Sequence, residues 1–347
     1  MPSQSHSTRA EDKQMLRQAA LLTRDLHRPS PARYWSDCFG SAAVGYAALA
    51  GAILSHSAAL TVALVVLSIL MLYRAVLFIH EITHLDHRLL PGFRAAWNIG
   101  VGAPLLLPSF LYEGIHAVHH SRRHYGTERD PEYLPLAHMN PWTLPLFTLA
   151  ALAMPFLLLL RFGILAPLSI LIPPLRRVLV ERFSALEVNP ASHRPAPAGA
   201  FARRWRLQEI AASMAAIAIL ASTATGLVPL RAFVFYCVVV AGVAVLNQTR
   251  TLVAHLWEND GAELSLTDQY RDSTNVPPAF PGVLWAPVGL RFHALHHLVP
   301  RLPYHALPEA HRRLAAALPV GSAYGDANYS SLSTLLNRLA RATMRRR

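Results

Sequence analysis

The stretch from residue 59 to residue 84, ALTVALVVLSILMLYRAVLFIHEITH, decides the fold. It is apolar for most of its length, and its last five residues match the pattern H-x-x-x-H. A helix over 60–84 would be about 37 Å long at about 1.5 Å per residue, whereas the hydrocarbon core of a bilayer is about 30 Å thick. We therefore expect a membrane-spanning helix whose last turns carry His80 and His84 into water at the membrane surface.

The composition of the whole chain is typical of a membrane protein with substantial polar parts. Of its 347 residues, 53% are hydrophobic and 15% are charged, whereas soluble domains carry about 25% charged residues. The formal net charge of +12 comes almost entirely from arginine. Because basic residues beside membrane spans stay on the cytoplasmic side, we interpret this excess as a cytoplasmic membrane face and expect no nucleic-acid partner.

Two features argue against a secreted, disulfide-bonded protein. The two cysteines, Cys38 and Cys237, lie in or beside apolar runs, which predicts neither a disulfide framework nor a cysteine metal site. The first 33 residues are polar and lack an apolar core, so we expect no cleaved secretory signal.

Four apolar segments predict four membrane spans arranged as two helical hairpins. The first hairpin would turn at SHS (55–57) and the second at VPL (228–230). The basic segments between the hairpins would then all lie on the cytoplasmic side, together with both termini. The predicted spans are approximately 41–55, 60–84, 207–228 and 231–254.

A fifth apolar segment, 142–175, is predicted to lie in the membrane interface. It contains five prolines and has Arg161 near its middle, and an arginine at the centre of a bilayer is costly. The sidedness of the basic segments requires that it cross the membrane zero or two times, and we favour zero.

The predicted fold is an all-α membrane protein with four transmembrane helices and a cytosolic helical cap that holds the histidines. Its parts would be a basic N-terminal arm (1–36), one main domain (37–315) and a basic C-terminal tail (316–347).

Eighteen histidines are present, and eight of them form three boxes that this topology places on one side of the membrane. The second box is HAVHH (116–120) and the third is HALHH (293–297). Residues at i, i+3 and i+4 share a helix face, so each box offers three imidazoles in one direction. One zinc ion needs three or four protein ligands, so eight imidazoles predict two metal ions. The eight are His80, His84, His116, His119, His120, His293, His296 and His297.

Two other functions fit parts of this pattern. HEITH also matches the zinc-protease motif, in which Glu81 would be the general base, but an intramembrane zinc metalloprotease leaves one of the other boxes unexplained. A metal carrier or sensor would need histidines along the spans, and His56 at an outer turn is the only such residue.

With these boxes, the chain resembles the membrane fatty acid desaturase/hydroxylase superfamily over roughly residues 35–315. The stretches HHSRRHYGTERDPEYLPL (119–136), RTLVAHLWENDG (250–261) and LRFHALHHLVPRLPYHALPEAHRRL (290–314) are also similar to bacterial members. The resemblance implies a non-haem di-iron enzyme that uses O₂, with the eight box histidines as iron ligands on the cytosolic side.

The resemblance also implies ligands and supports outside the boxes. His255 lies at the cytosolic end of the last span, where the family often has a further ligand, although Thr251 stands where related acyl-CoA desaturases have an asparagine. His87 shares a predicted helix face with His80 and His84 and is an additional candidate ligand, although we favour a role at the surface or in support of a ligand. The carboxylates that could orient ligand imidazoles are Asp86, Glu113, Asp130 and Glu258, with Glu81 in a supporting role. The histidines expected at the polar surface are His124, His138, His305 and His311.

The function implied is an O₂-dependent fatty acyl desaturase of the bacterial inner membrane. The alternative is a hydroxylase or ketolase of the same superfamily, because the same ligands can serve both outcomes. The substrate would be a membrane lipid or an acyl thioester. The chain has no H-P-G-G haem-binding stretch, so we expect a separate electron donor of the ferredoxin, rubredoxin or cytochrome type.

Overall fold

The computed structural model describes residues 9–278, 280–319 and 321–344, and these residues form helices joined by turns and loops. Within the described ranges there is no β-strand, only isolated bridges such as that between His255 and Ser273. The predicted all-α fold is therefore confirmed. The α-helices are α1 (Arg9–Leu22), α2 (Pro31–Leu54), α3 (Ala58–Val76), α4 (Phe78–His84), α5 (Phe93–Trp97), α6 (Ile115–His119), α7 (Thr143–Ala150), α8 (Met154–Leu160), α9 (Ala166–Leu168), α10 (Pro173–Arg182), α11 (Gly199–Ala224), α12 (Leu230–Leu252), α13 (Leu266–Asp272), α14 (Gly282–Trp285), α15 (His293–Leu298), α16 (Leu307–Ala317), α17 (Ala323–Asp326) and α18 (Leu332–Met344).

Five helical stretches in the described residues are long and apolar enough to cross a membrane, and four of them correspond to the predicted spans. Two of them, Pro31–Leu54 and Gly199–Ala224, begin eight to ten residues before the predicted spans 41–55 and 207–228. The first starts at Pro31 because proline suits the first turn of a helix, where its missing N–H costs nothing. The five stretches are Pro31–Leu54, Ala58–His84, Thr143–Leu168, Gly199–Ala224 and Leu230–Leu252.

Glycines allow α3 to pack closely between α2 and α12. A Cβ atom on Gly45 of α2 would lie 2.6 Å from Cγ of Leu72, and one on Gly242 of α12 would lie 2.5 Å from Cδ1 of Ile69. Small residues at such positions let helix backbones approach in a membrane, where van der Waals contact drives association. α3 therefore joins the first predicted hairpin to the second through α12.

The chain at the start of the fifth stretch, Thr143–Leu168, and the chain after α10 both lie near the histidine boxes. Near its start, Gln248 Nε2 in the last turns of α12 donates to the Phe147 carbonyl (3.3 Å). After α10, the Leu186 N–H donates to the Leu111 carbonyl (2.8 Å), and Leu111 precedes the second box by only a few residues. Both flanks thus lie on one side, which agrees with zero or two crossings.

The segments delimited as the N-terminal arm and the C-terminal tail both pack on the helical cap. Met15 of α1 is buried in a cluster with Leu314 of α16 and Tyr324 of α17. Leu339 of α18 is buried against Trp257. These amphipathic helices cover the cap that carries the second and third boxes.

Candidate metal centre

The three boxes and the end of α12 meet at one place in the structure. α4 carries the first box, α6 the second and α15 the third, while His255 follows the last turn of α12. Gly114, with φ of +84°, provides the left-handed turn that starts α6. The predicted convergence of eight imidazoles is seen, and His255 joins them.

The nine imidazoles divide into two groups, and in each group one ligand nitrogen per residue lies within 4.8 Å of all the others. We call them the first and the second histidine group. Eight or nine imidazoles around one point would exceed the needs of a single ion, whereas groups of four and five suit one ion each. The first group contains His80, His84, His116, His120 and His296, and the second contains His119, His255, His293 and His297.

Each H-x-x-H-H box contributes to both groups. His116 and His120, at i and i+4, enter the first group, whereas His119 enters the second. The third box does the reverse: His293 and His297 enter the second group and His296 the first. The two groups are adjacent, since the His120 and His297 rings stack with centroids 4.3 Å apart. The helical spacing predicts that all three imidazoles of a box point one way, whereas the structure divides those of the second and third boxes between the two groups.

Within each group, the imidazole nitrogens lie close enough to one another to bind the same cation. His120 Nε2 lies 3.0 Å from His116 Nε2 and 3.1 Å from His296 Nε2. In the second group, His293 Nε2 lies 3.1 Å from His255 Nε2. Nε2 of His80 and Nε2 of His84 are buried with no hydrogen-bond partner, and such atoms are costly unless something binds them. One metal ion in each group would satisfy the nitrogens of that group.

Two carboxylates orient histidines of the second box. Glu132 Oε1 lies 2.9 Å from His116 Nδ1, and Asp130 Oδ2 lies 2.9 Å from His119 Nδ1. A carboxylate at Nδ1 holds the proton there and leaves Nε2 as the free donor to a metal. Asp130 was among the predicted orienting residues, whereas Glu132 was not, although it is two residues further along the same DPE stretch.

His255 is held by hydroxyl groups rather than directly by a carboxylate. The Tyr125 hydroxyl lies 2.8 Å from His255 Nδ1 and also donates to Asp272 Oδ2 (2.8 Å). The Tyr133 hydroxyl donates to Asp272 Oδ1 (3.2 Å). These supports were missed, because only the fold brings residues 125, 133 and 272 together. In the sequence, only the tyrosines that follow the second box, Tyr125 and Tyr133, pointed to these supports.

Burial favours the neutral form of these imidazoles, which is the form that binds metal. It lowers the pKa well below the ordinary histidine value for His116, His120, His255, His293, His296 and His297. Burial acts on His119 in the same direction, but the Asp130, Glu132 and Asp272 carboxylates together outweigh it, so the pKa of that histidine is raised. Burial also raises the pKa of the Glu132 carboxyl to about 7.

His87 was a candidate ligand, but it belongs to neither histidine group. α4 ends at His84, and Leu85 is extended with ψ of 138°, so the helical spacing that linked His87 to His80 and His84 stops there. The His87 side chain is 72% exposed and lies near Asp86.

Glu81 is occupied away from the ligand nitrogens, which argues against a protease base. Its Oε2 accepts from the Tyr34 hydroxyl and from the Tyr304 N–H (3.1 Å). Its Oε1 is 3.7 Å from His80 Nδ1, too long for a hydrogen bond. The carboxylate ties α2 to the segment after the third box.

The remaining candidates lie outside the two groups. Glu113 accepts from Ser109 (2.5 Å) and pairs with Arg94, and Glu258 pairs with Arg338. Three predicted surface histidines are half-buried and make hydrogen bonds to other parts of the chain: His138 to the Glu258 carbonyl, His305 to the Ser30 N–H and His311 to the Tyr324 hydroxyl. His124 is half-buried beside the second box.

Comparisons with known proteins identify the family to which the sequence is similar. The family model described as fatty acid desaturase matches residues 55–327. The chain is similar to a ceramide hydroxylase of Caulobacter vibrioides, with 45% identity over 333 residues that cover 96% of this chain and 95% of that protein. No solved structure matches significantly.

Proposed function

The chain belongs to the fatty acid desaturase family, and from that premise we propose that it is a membrane lipid hydroxylase that acts on a ceramide-like lipid. The observation that carries the choice of reaction is the similarity, over nearly the whole length of both chains, to a ceramide hydroxylase. The resemblance described above implies desaturation, with hydroxylation as the alternative. The similarity favours the alternative, hydroxylation.

The proposed reaction replaces one C–H bond of the lipid by C–OH. One oxygen atom of O₂ enters the product and the other leaves as water, with two electrons and two protons supplied: RH + O₂ + 2 e⁻ + 2 H⁺ → ROH + H₂O. We propose one iron ion in each histidine group, because imidazole suits iron and the two groups are adjacent. The irons would supply the activation of O₂ and the oxidising power needed to break an unactivated C–H bond.

The residues of the chain hold and shield this centre. Asp130 and Glu132 keep Nδ1 of His119 and His116 engaged, so that Nε2 of each remains free for a metal. His84 and His120 are the only half-buried members of the two groups. Such shielding keeps water from a reactive centre.

The proposed setting is a bacterial inner membrane, with the histidine groups on the cytoplasmic side. Several apolar helices and the large excess of arginine support this orientation. The electrons would come from a separate donor of the ferredoxin, rubredoxin or cytochrome type, because the sequence contains no haem-binding stretch of its own.

Lipid mass spectrometry of cells that express the chain tests the reaction. Hydroxylation adds about 16 Da to the substrate lipid, whereas desaturation removes about 2 Da. We expect ceramides heavier by 16 Da and their absence when His296→Ala replaces the wild type. His87→Ala, which changes an exposed histidine outside both groups, is the matched control. A 2 Da loss with no 16 Da gain would return the assignment to desaturation.

A further inference from the structure

Three buried aromatic side chains lie against the second histidine group. The Tyr125 ring is 5.1 Å from the His119 ring, measured between centroids. The Trp257 indole is 5.1 Å from the His255 ring. The Tyr133 ring lies between the other two, at 5.6 Å from Tyr125 and 5.1 Å from Trp257. We call Tyr125, Tyr133 and Trp257 the aromatic cluster, and each of them is at most 2% exposed.

Both tyrosines of the aromatic cluster donate to one buried carboxylate. The Tyr125 hydroxyl donates to Asp272 Oδ2 (2.8 Å), and the Tyr133 hydroxyl donates to Asp272 Oδ1 (3.2 Å). A phenol loses an electron readily only when its proton can leave as well, because the oxidised phenol is a strong acid. A carboxylate within hydrogen-bond reach of the hydroxyl can take that proton. The surroundings of the two tyrosines therefore suit their oxidation by one electron.

The backbone holds Trp257 in the cluster at an energetic cost. Its φ is +62°, in the left-handed region that residues with a bulky side chain rarely adopt. The indole Nε1 donates to the Leu252 carbonyl (2.9 Å), which fixes the ring beside His255. Strained backbone of this kind is concentrated at functional sites. The fold thus keeps an easily oxidised indole beside a candidate metal ligand in spite of the strain.

Among the described residues, the first histidine group has one tyrosine beside it rather than a cluster. Tyr112 donates to Glu132 Oε2 (2.9 Å). Its ring neighbours are the imidazoles of His80 and His116, and no further phenol or indole of the described residues continues that contact. Linked rings are therefore a feature of the second group.

We propose that the aromatic cluster supplies electrons to the metal centre when O₂ is activated without a bound lipid, and so protects the ligand histidines from oxidation. The proposal rests on the proposed function. Hydroxylation uses four electrons to reduce O₂, two from the external donor and two from the C–H bond. When no lipid is bound, the second pair is missing, and an oxidant remains beside the imidazoles. The aromatic cluster is the nearest source of that pair.

Tyr133 and Trp257 can provide the missing pair, one electron each: Tyr–OH + Trp–NH → Tyr–O• + Trp• + 2 e⁻ + 2 H⁺. The phenolic proton passes first to Asp272. With two electrons and two protons from the external donor, the sum is O₂ + 4 e⁻ + 4 H⁺ → 2 H₂O. Cytosolic thiols then restore the rings, 2 RSH → RSSR + 2 e⁻ + 2 H⁺. The residue after Trp257, Glu258, is exposed, so the cluster lies close to the protein surface on this side.

Electron paramagnetic resonance of the holoenzyme tests the proposal. The iron-loaded protein, in phosphatidylcholine vesicles without ceramide, is reduced with dithionite, mixed with O₂ and frozen. We expect an organic radical whose spectrum changes when the protein carries ring-deuterated tyrosine or tryptophan. Added ceramide should suppress this signal, because the C–H bond then supplies the second pair of electrons.

Two variants each remove one source of electrons. Tyr133→Phe keeps the ring and removes the phenol, and Trp257→Phe removes the indole. After repeated exposure to O₂ without ceramide, peptide mass spectrometry should find more oxygen added to His119 and His255 than in the wild type. Tyr324→Phe is the matched control, because Tyr324 is equally buried but hydrogen-bonds to His311, outside both groups. It should match the wild type.

The proposal is overturned if the iron-loaded wild type consumes O₂ without ceramide, forms no tyrosine or tryptophan radical, and shows the same histidine oxidation as the variants. If Tyr133→Phe loses iron, Trp257→Phe decides, because it leaves both hydrogen bonds to Asp272 in place. Histidine oxidation at the wild-type level in that variant would again overturn the proposal. A wild type that binds no iron, or that yields no 16 Da product with ceramide, would instead contradict the proposed function.

Discussion

At the scale of single residues, the two carboxylates on either side of Pro131 support different metal sites. Asp130 contacts His119 of the second group, and Glu132 contacts His116 of the first. Asp130 is fully buried, and it also accepts from the Gly126 and Glu132 backbone N–H groups (2.8 and 2.9 Å). The short DPE stretch thus orients one histidine in each group and hydrogen-bonds to the backbone of the loop after the second box.

We predict that Asp130→Asn weakens the second site. The amide keeps the size of the side chain but loses the negative charge that stabilises the His119 tautomer, and such outer partners typically contribute about 10–100-fold in metal affinity or activity. Metal analysis of the purified variant should show a selective loss of iron under mild chelation. Asp86→Asn, an exposed aspartate beside His87, should retain the iron of the wild type. Equal retention in both variants would show that Asp130 does not support the site.

The candidate ligands could be predicted from the sequence, whereas most of their supports could not. His255 was predicted because it stands where the superfamily that the chain resembles often has a further ligand, at the end of the last span. His87 was proposed on the assumption that the helix continued past His84. Tyr125 and Asp272 are 147 residues apart, and no local pattern reports that their side chains meet. The spacing of histidines along a helix thus identifies candidate ligands. The residues that hydrogen-bond to those ligands are determined by tertiary contacts, which the sequence does not reveal.

At the scale of helices, the bundle depends on the close contact between α2 and α3. Gly45 allows this contact, because any side chain there would meet both the side chain and the backbone N of Leu72. α3 continues into α4, so the same contact positions the first histidine box. The packing of α2 against α3 and the position of the first histidine box are therefore linked through the continuous helical stretch Ala58–His84.

We predict that Gly45→Val lowers thermal stability, whereas Gly40→Val on the same helix does so much less. A side chain at Gly45 would force the helices apart, at a cost of about 1–3 kcal/mol for overpacking, whereas a Cβ on Gly40 would have no neighbour within 4 Å. Thermal unfolding of both variants in detergent micelles gives the comparison. Equal stability of the two variants would contradict the packing account.

The path of the fifth apolar segment is a second prediction at this scale. If both of its flanks lie on the side of the histidine groups, cysteines at Asn140 and Ala191, both exposed, should react with an impermeant maleimide from the same face as a cysteine at His87. A cysteine at His56, in the turn between α2 and α3, should react from the opposite face. Cys38 and Cys237 would be replaced by alanine beforehand. Labelling of positions 140 and 191 from opposite faces would mean that the segment crosses once.

At the scale of the whole molecule, the helices bring four separate parts of the sequence to one centre. His80 and His297 are more than two hundred positions apart in the chain, yet they belong to adjacent groups. The number of apolar segments and the sidedness of the basic ones predicted this meeting. The division of the second and third boxes between the two groups depends on how α6 and α15 face each other, which the sequence does not state.

The metal content of the purified protein tests the central claim most directly. Nine buried or half-buried imidazoles in two groups predict about two iron ions per chain, measured by elemental analysis of protein purified without chelators. Replacing His116 in the first group or His293 in the second by alanine should each lower that number, whereas His87→Ala should not. One zinc ion per chain and no iron would contradict the account.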